Sequence, residues 1–341
     1  MNINDMVLVS VDDHRYPSQS SQNRTDWTAS VGGTYDFGRD QLALAATHIS
    51  THQLPTDLAA FPTDQPLPFT LDNIHISYSS PFARITVMPY FDYTRLNFSS
   101  AIIDGISTSQ GYRDSNSYQG GVRASYEFSP GRNAVVEVRG VGIDYPTATP
   151  GVALPGSNTL AVLGGLDYTA SGVWRYRALV GYQQRSYATL PSNAANQFKT
   201  RSSPIAEASV IWTPTELTSV TGRFLYTIED PTEQSTQGYN YTSFHVIVDH
   251  EYLKNVLLRG YVGLQNADYV GVSYTETLYQ IGGNVTWLLN RKVNLIFSYA
   301  FTDRMGSNTI PTTTITSTGP VPISGGNYLQ NIFLVQARFK L

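Results

Sequence analysis

The chain has 341 residues, no cysteine, 41% hydrophobic residues and a formal net charge of −4. Mild acidity without clustered Lys and Arg argues against a nucleic-acid partner, and no stretch of about 18 apolar residues exists to form a transmembrane helix. Missing cysteine suits a chain that crosses an oxidising periplasm, and with no linker in view the expectation is one all-β domain over 1–341.

Met1 leads straight into Asn2-Ile3-Asn4-Asp5 without a signal peptide. A chain that leaves the cytoplasm needs such a leader, so for an exported protein the numbering is expected to start after processing or to be that of an engineered mature chain. The first clear strand follows. Trp27, Ala29, Val31, Gly33, Tyr35 and Phe37 alternate with Thr28, Ser30, Gly32, Thr34 and Asp36. Further along, Tyr118 to Phe128, Trp174 to Tyr182 and Val293 to Phe301 show the same period of two, apolar residues alternating with polar or small ones. Successive side chains of a strand point to opposite faces, so each of these strands has one greasy and one polar face.

Connections alternate in length. Short ones are predicted near 37–40, 79–83, 129–132, 170–173, 213–217, 250–256 and 289–291. Long ones are predicted near 13–24, 52–67, 99–114, 145–158, 188–203, 229–240, 266–275 and 304–327, the last being the longest. Together they imply about sixteen strands. The predicted fold is a closed antiparallel transmembrane β-barrel of the bacterial outer membrane, with short periplasmic turns, long extracellular loops and both termini in the periplasm. A soluble sandwich or propeller fits less well. The long/short alternation persists, the outward faces carry almost no charge, and Trp174, Trp212, Trp287, Tyr35, Phe37, Tyr126, Phe128 and Tyr168 gather near short turns, where a bilayer's headgroups would lie. The final segment, from Leu329 through Phe333 and Phe339 to Leu341, is amphipathic and is expected to close the sheet against the first strand.

Alternation places Arg84, Arg123, Arg139, Arg175, Arg177, Arg185, Arg223, Arg259 and Arg304 toward the lumen, with Asp92, Glu127, Glu137, Asp167, Glu207, Glu229 and Asp249. Two readings stay open. Charged rings in a pore select ions and solutes. Near-balanced opposite charges on neighbouring strands instead brace the wall. One group escapes the balance: Arg175, Arg177 and Arg185 share a strand, with Arg139 and Arg123 close in strand order and Asp167 and Glu137 able to neutralise part of it. A small anion or an anionic sugar polymer is the partner such arginines would suit. Tyr90, Tyr187, Tyr241 and Tyr261 either stack on sugar rings or fill wall space. Leu54, Leu58 and Phe61 are apolar for a loop and are expected to pack into the barrel mouth. The histidines show no metal spacing, and neither a nucleophile elbow nor a phosphate loop occurs. No cofactor, metal or enzymatic activity is therefore expected.

Several segments carry a family resemblance. They are Glu207 to Phe224 (EASVIWTPTELTSVTGRF), Val248 to Leu258 (VDHEYLKNVLL), Leu288 to Leu295 leading to Tyr299, and the turn Tyr126-Glu127-Phe128-Ser129-Pro130-Gly131. They resemble the putative β-barrel porin 2 family. The resemblance spans nearly the whole chain, is strongest from about 200 onward, and rests on strand–turn–strand patterns. It implies an outer-membrane channel, often linked with exopolysaccharide production and export, and carries over no binding residue. The function expected is passage or export of a saccharide or other hydrophilic solute, with outer-membrane lipid around the barrel and an export partner in the periplasm or outer membrane. The rivals are a loop-plugged barrel that anchors a partner complex and an integral outer-membrane enzyme.

Overall fold

The structure is a computed structural model that describes residues 2–60, 63–147, 156–169, 171–188, 199–230, 238–270, 273–307, 313–316, 319–322 and 327–339. Sixteen long strands form one sheet: β1 Asn2–His14, β2 Arg24–Asp36, β3 Gln41–Gln53, β4 Leu67–Phe82, β5 Ile85–Phe98, β6 Ser115–Ser129, β7 Arg132–Asp144, β8 Ser157–Tyr168, β9 Trp174–Tyr187, β10 Thr200–Thr215, β11 Thr218–Glu229, β12 Tyr239–Leu253, β13 Val256–Tyr269, β14 Thr275–Leu288, β15 Val293–Gly306 and β16 Tyr328–Phe339. Each pairs antiparallel with its neighbour in sequence, in a simple meander. Two small hairpins stand outside the wall, Ser100–Ile103 with Ile106–Ser109 and Thr313–Thr316 with Gly319–Pro322.

One face of the sheet is apolar and uncovered. Val7, Val180, Leu160, Val31 and Val136 are all more than half exposed there. A soluble chain does not leave so continuous an apolar surface to water, and lipid is the solvent that suits it. Rings gather on this face near the short turns: Trp174 stacks on Trp212 at 5.2 Å, Tyr168 on Tyr176 at 4.8 Å, and Tyr35 meets Phe37 at 4.4 Å. Trp27 marks the opposite, long-loop end, 4.7 Å from His48.

The other face is concave and largely polar, with Val135, Ala161, Leu163, Leu179 and Ile205 forming a buried apolar patch on it. Arg139 on β7 reaches Glu207 on β10, and Arg304 on β15 reaches the loop after β3. The sheet therefore curls until its two edges meet, where the Gln336 amide donates to Asp12 Oδ1 at 3.4 Å. Closure by a backbone ladder is not found among the described residues. Among the described residues the contact between β16 and β1 runs through side chains, and both edge strands stay exposed. The reason is physical. Alternation tells which face a side chain takes, but says nothing of which backbone the strand pairs with.

The connection expected over 266–275 is shorter than the sequence suggests, because β13 extends to Tyr269 and β14 begins at Thr275. Phe61, Pro311 and Leu341 lie outside the described residues, as do the centres of the connections near 145–158, 188–203 and 229–240.

Leu166 is on the apolar face and Asp167 on the polar one, but both lie close to the short-turn end of β8. Val162, 48% exposed and paired with Val138 and Tyr182, is nearer mid-strand. Val162→Arg should cost about 2–4 kcal/mol in lipid, and Leu166→Arg about 0–1 kcal/mol. Unfolding titrations in bilayers measure both; equal penalties would contradict this placement of the membrane.

Candidate functional site

The polar face holds a charge network centred on Glu137, which is 1% exposed in the middle of β7. Its Oε2 accepts from Arg123 Nε and Nη2 at 2.8 and 2.7 Å, and its Oε1 accepts from the Tyr90 hydroxyl at 2.7 Å. Arg139 Nη1 lies 3.6 Å away, Arg177 Nη2 4.0 Å away, and Arg139 also pairs with Glu207. Cross-strand register produces the cluster: Arg123 faces Glu137 directly, and Leu179 faces Glu207. Asp167 faces Arg177 across β8 and β9 and shares a small cavity with Arg123 and Arg177.

The remaining predicted residues do not join this cluster. Arg84 sits in the tight turn between β4 and β5, where its carbonyl accepts from the Glu127 N–H at 2.7 Å. A turn residue has no strand face, so alternation could not orient it. Glu127 accepts from the Gly131 N–H at 2.8 Å and fastens the β6–β7 turn. Arg259 pairs with Asp249 at 2.6 Å, an exposed pair near the short-turn end. Arg175 is exposed at that same end of β9. Arg185 is buried at the opposite end, where it donates to Asp230 (2.8 Å), Thr159 (2.9 Å) and the Ile228 carbonyl (3.2 Å). Arg175 and Arg185 are thus about 33 Å apart along one strand. Arg175, Arg177 and Arg185 form no single anion row. Arg223 is exposed on the polar face opposite His245.

Two of the inward tyrosines fill wall space above glycines of the next strand. Tyr90 ring atoms lie 2.7 Å from where a Gly121 side chain would begin, and the Tyr261 hydroxyl lies 2.5 Å from the same point at Gly282. Tyr241 donates to Gln265 at 3.1 Å. Rings laid over strand glycines stiffen a curved sheet.

A second cluster closes the long-loop end, and its acidic centre, Glu276, escaped the sequence reading. Arg304 Nη2 meets Glu276 Oε1 at 2.6 Å, with both side chains at most 3% exposed. The Tyr274 hydroxyl donates to Glu276 Oε1 at 2.6 Å, and the Ala59 N–H to Oε2 at 2.7 Å. Arg304 also donates to the carbonyls of Pro55 (2.7 Å) and Ala60 (3.1 Å). Ala59 and Leu58 pack against Ala267, Tyr269 and Tyr274. Residues 54–60 are thereby drawn onto the inner wall at β13–β15, and Thr56 reaches Gln330 on β16. Leu54 is half-buried there. Ala59 holds φ 54°, a left-handed conformation that costs a non-glycine residue about 1–2 kcal/mol; the Glu276 bond and the apolar contacts outweigh it. The connection expected over 266–275 left Glu276 at the first position of the next strand, where it is opposite in parity to Tyr279 and Ile281 and so faces inward; the set of inward charges read from the sequence did not include it. Histidine–carboxylate pairs also occur, His75 with Asp92 at 2.7 Å on the polar face and His48 with Asp72 at 2.6 Å on the apolar one. No group of three metal-ligating side chains occurs among the described residues.

The profile described as Putative beta-barrel porin 2 matches residues 6–318. The chain belongs to that family. That family is one of porin-like outer-membrane β-barrels. No curated protein matches it. Among solved structures it is similar to the ferric yersiniabactin uptake receptor FyuA of Yersinia pestis, at 10% identity and TM-score 0.46 over 89% of this chain and 56% of that one. It is similar to the siderophore receptor PiuA of Acinetobacter baumannii, at 10% identity and TM-score 0.47 over 94% and 62%. The ferric-catecholate import receptor Fiu of E. coli K12, closed form, matches at 9% identity and TM-score 0.49 over 99% and 65%. The chain spans less than two thirds of each, and likeness at this level says nothing of what it carries.

Two outcomes follow from the clusters. Glu137→Gln should leave Arg123 and Arg139 short of a charge partner and lower stability by about 3 kcal/mol, the low end for breaking a buried pair, because both arginines keep some contact with water. Urea titration of the folded barrel reads this. The second concerns Asp57 in the docked loop, whose carboxyl is pushed above the ordinary 3.8 mainly by burial, opposed by the Leu54 N–H bond and by Arg304. A raised value means the docked loop binds the proton more tightly than the free loop. Its contribution to docking is full below pH 3.8 and fades as pH rises through the raised value. Acidification should therefore raise the protection factors of the amides of residues 54–60, measured against intrinsic exchange at the same pH; Asp57→Asn should remove that dependence.

Proposed function

We propose that the chain is an outer-membrane channel for a hydrophilic solute, a saccharide among them, whose mouth is narrowed by its own loop. The observation that carries this reading is the pairing of an uncovered apolar face with a concave polar face bearing Arg123, Arg177 and Arg223, and residues 54–60 docked at one end of it. In lipid the seam between β1 and β16 closes, because unpaired backbone groups cannot stay in hydrocarbon. The short turns then face the periplasm and the docked loop faces outward. Sixteen strands enclose a lumen wide enough for water. Polysaccharide export, with a partner on the periplasmic side, is the specific role that the family resemblance favours.

A second reading has one observation behind it. Ala59 and Ala60 are 2% and 3% exposed, with Leu58 partly buried against the same cluster, which suits a barrel plugged by its loop that anchors a partner complex.

Single-channel recording in planar bilayers separates the two. Ala59→Asp puts a carboxylate beside Glu276 and should expel the loop without altering the wall. The channel reading expects measurable wild-type conductance and a larger conductance in the variant. A folded barrel that conducts in neither form would favour the anchor.

A further inference from the structure

We propose that the inner wall carries a subsite for the carboxylate of an acidic sugar, formed by Arg177 and Arg223 beside Arg123. The proposal rests on the channel reading above. It starts from a cavity of about 470 Å³ on the polar face, lined by Arg123, Arg177, Arg223, Leu179, Leu225 and His245 among others. That is within the range of about 300–1,000 Å³ usual for small-molecule sites.

The arginines around this cavity are not equally engaged. Arg123 is bonded to Glu137, and Arg139, behind the cavity, is divided between Glu137 and Glu207. Two carboxylates thus satisfy two guanidinium groups. Arg177 is left with a buried Nη2 that has no hydrogen-bond partner and stands 4.0 Å from Glu137. Arg223 is exposed and makes no ion pair among the described residues. Asp167 faces Arg177 on the neighbouring strand, lines a different cavity, and comes within ion-pair distance of no cation among the described residues. Arg177, whose side chain is 30% exposed, and Arg223 therefore line one space with donors to spare, while Arg177 Nη2 itself is turned to Glu137 and closed off from it.

A planar guanidinium matches a carboxylate through two parallel hydrogen bonds. Glu207 lines the same cavity and Glu137 lies behind it, so a second negative charge on the ligand is opposed. That favours a singly charged carboxylate over a phosphate. Leu225, partly exposed in the cavity lining, supplies an apolar patch on which the C–H face of a pyranose can rest while its carboxylate meets the arginines. A uronate residue, free or within a polymer, combines both features.

The test is calorimetric titration of the folded protein in detergent micelles at low salt with galacturonate, galactose and inorganic phosphate. Galacturonate should bind, galactose should give no measurable binding, and phosphate should bind more weakly than galacturonate. Arg177→Gln and Arg223→Gln should each weaken galacturonate about tenfold or more, the loss of charge-assisted hydrogen bonds. Arg175→Gln, outside the cavity, should leave it unchanged. Arg223 is exposed, so its variant carries the test if Arg177→Gln fails to fold. Unchanged galacturonate affinity in the folded variants, or equal affinity for galactose, overturns the subsite; tighter phosphate binding overturns its assignment to a carboxylate. Binding needs no conduction. A conducting barrel that binds no uronate removes the subsite alone, and uronate binding by a barrel that does not conduct removes the channel reading alone.

Discussion

The buried contact between Arg304 and Glu276 is the constraint on which the long-loop end depends. Neither group can be left alone where it sits. An uncompensated charge in a site nearly closed to water costs several kcal/mol, and the pair is tolerable because most of its other hydrogen-bonding positions are filled, Arg304 Nε alone being buried without a partner. Those positions are filled by the loop. Pro55 and Ala60 lend carbonyls to the cation, and Ala59 lends its N–H to the carboxylate. The charge pair and the docked loop are thus one unit, and the strained Ala59 backbone is the local consequence. The contact also joins the strand-rich end of the sheet at β14–β15 to a loop that leaves β3. It crosses the seam where the β1 and β16 backbones do not pair.

The Glu137 network works on a different principle. It lies on the wall, with water on one side, and it resolves the two readings of the inward charges into a division of labour. Arg123 and Arg139 brace neighbouring strands through carboxylates, and Tyr90 ties β5 to β7 over Gly121. Arg177, 4.0 Å from Glu137 without a hydrogen bond to it, and Arg223, with no ion pair among the described residues, are the least engaged. Near-balance in the whole set of charges hides a local excess, since Arg259 with Asp249 and Arg185 with Asp230 settle their own accounts at the two ends of the barrel.

Much of this was legible in the residues. Period-two alternation placed Arg123, Glu137, Arg139, Asp167, Arg177, Glu207 and Arg223 on one face, because strand geometry leaves a side chain only two directions. The apolar character of Leu58 was a sound sign of a loop that docks. Arg175 and Arg185 lie at opposite ends of the strand between the connections expected over 170–173 and 188–203, so their separation was legible, and grouping them as one row counted their shared face without their height. Two things were out of reach. Pairing between residues far apart in sequence, such as Arg304 with the carbonyls of Pro55 and Ala60, follows from curvature of the sheet rather than from any local pattern. Closure depends on register between the first and last strands, which periodicity does not encode.

The central claim is that residues 54–60 are held against the inner wall by Arg304 and Glu276. A buried thiol reports on this directly. Ala59→Cys places one at a position only 2% exposed, in a chain with no other cysteine. In membranes, its reaction with a small water-soluble thiol reagent should be slow in the otherwise unaltered protein and fast once Arg304→Gln is added. Rapid reaction in both proteins would mean the loop is free without any help from the variant, and would contradict the account.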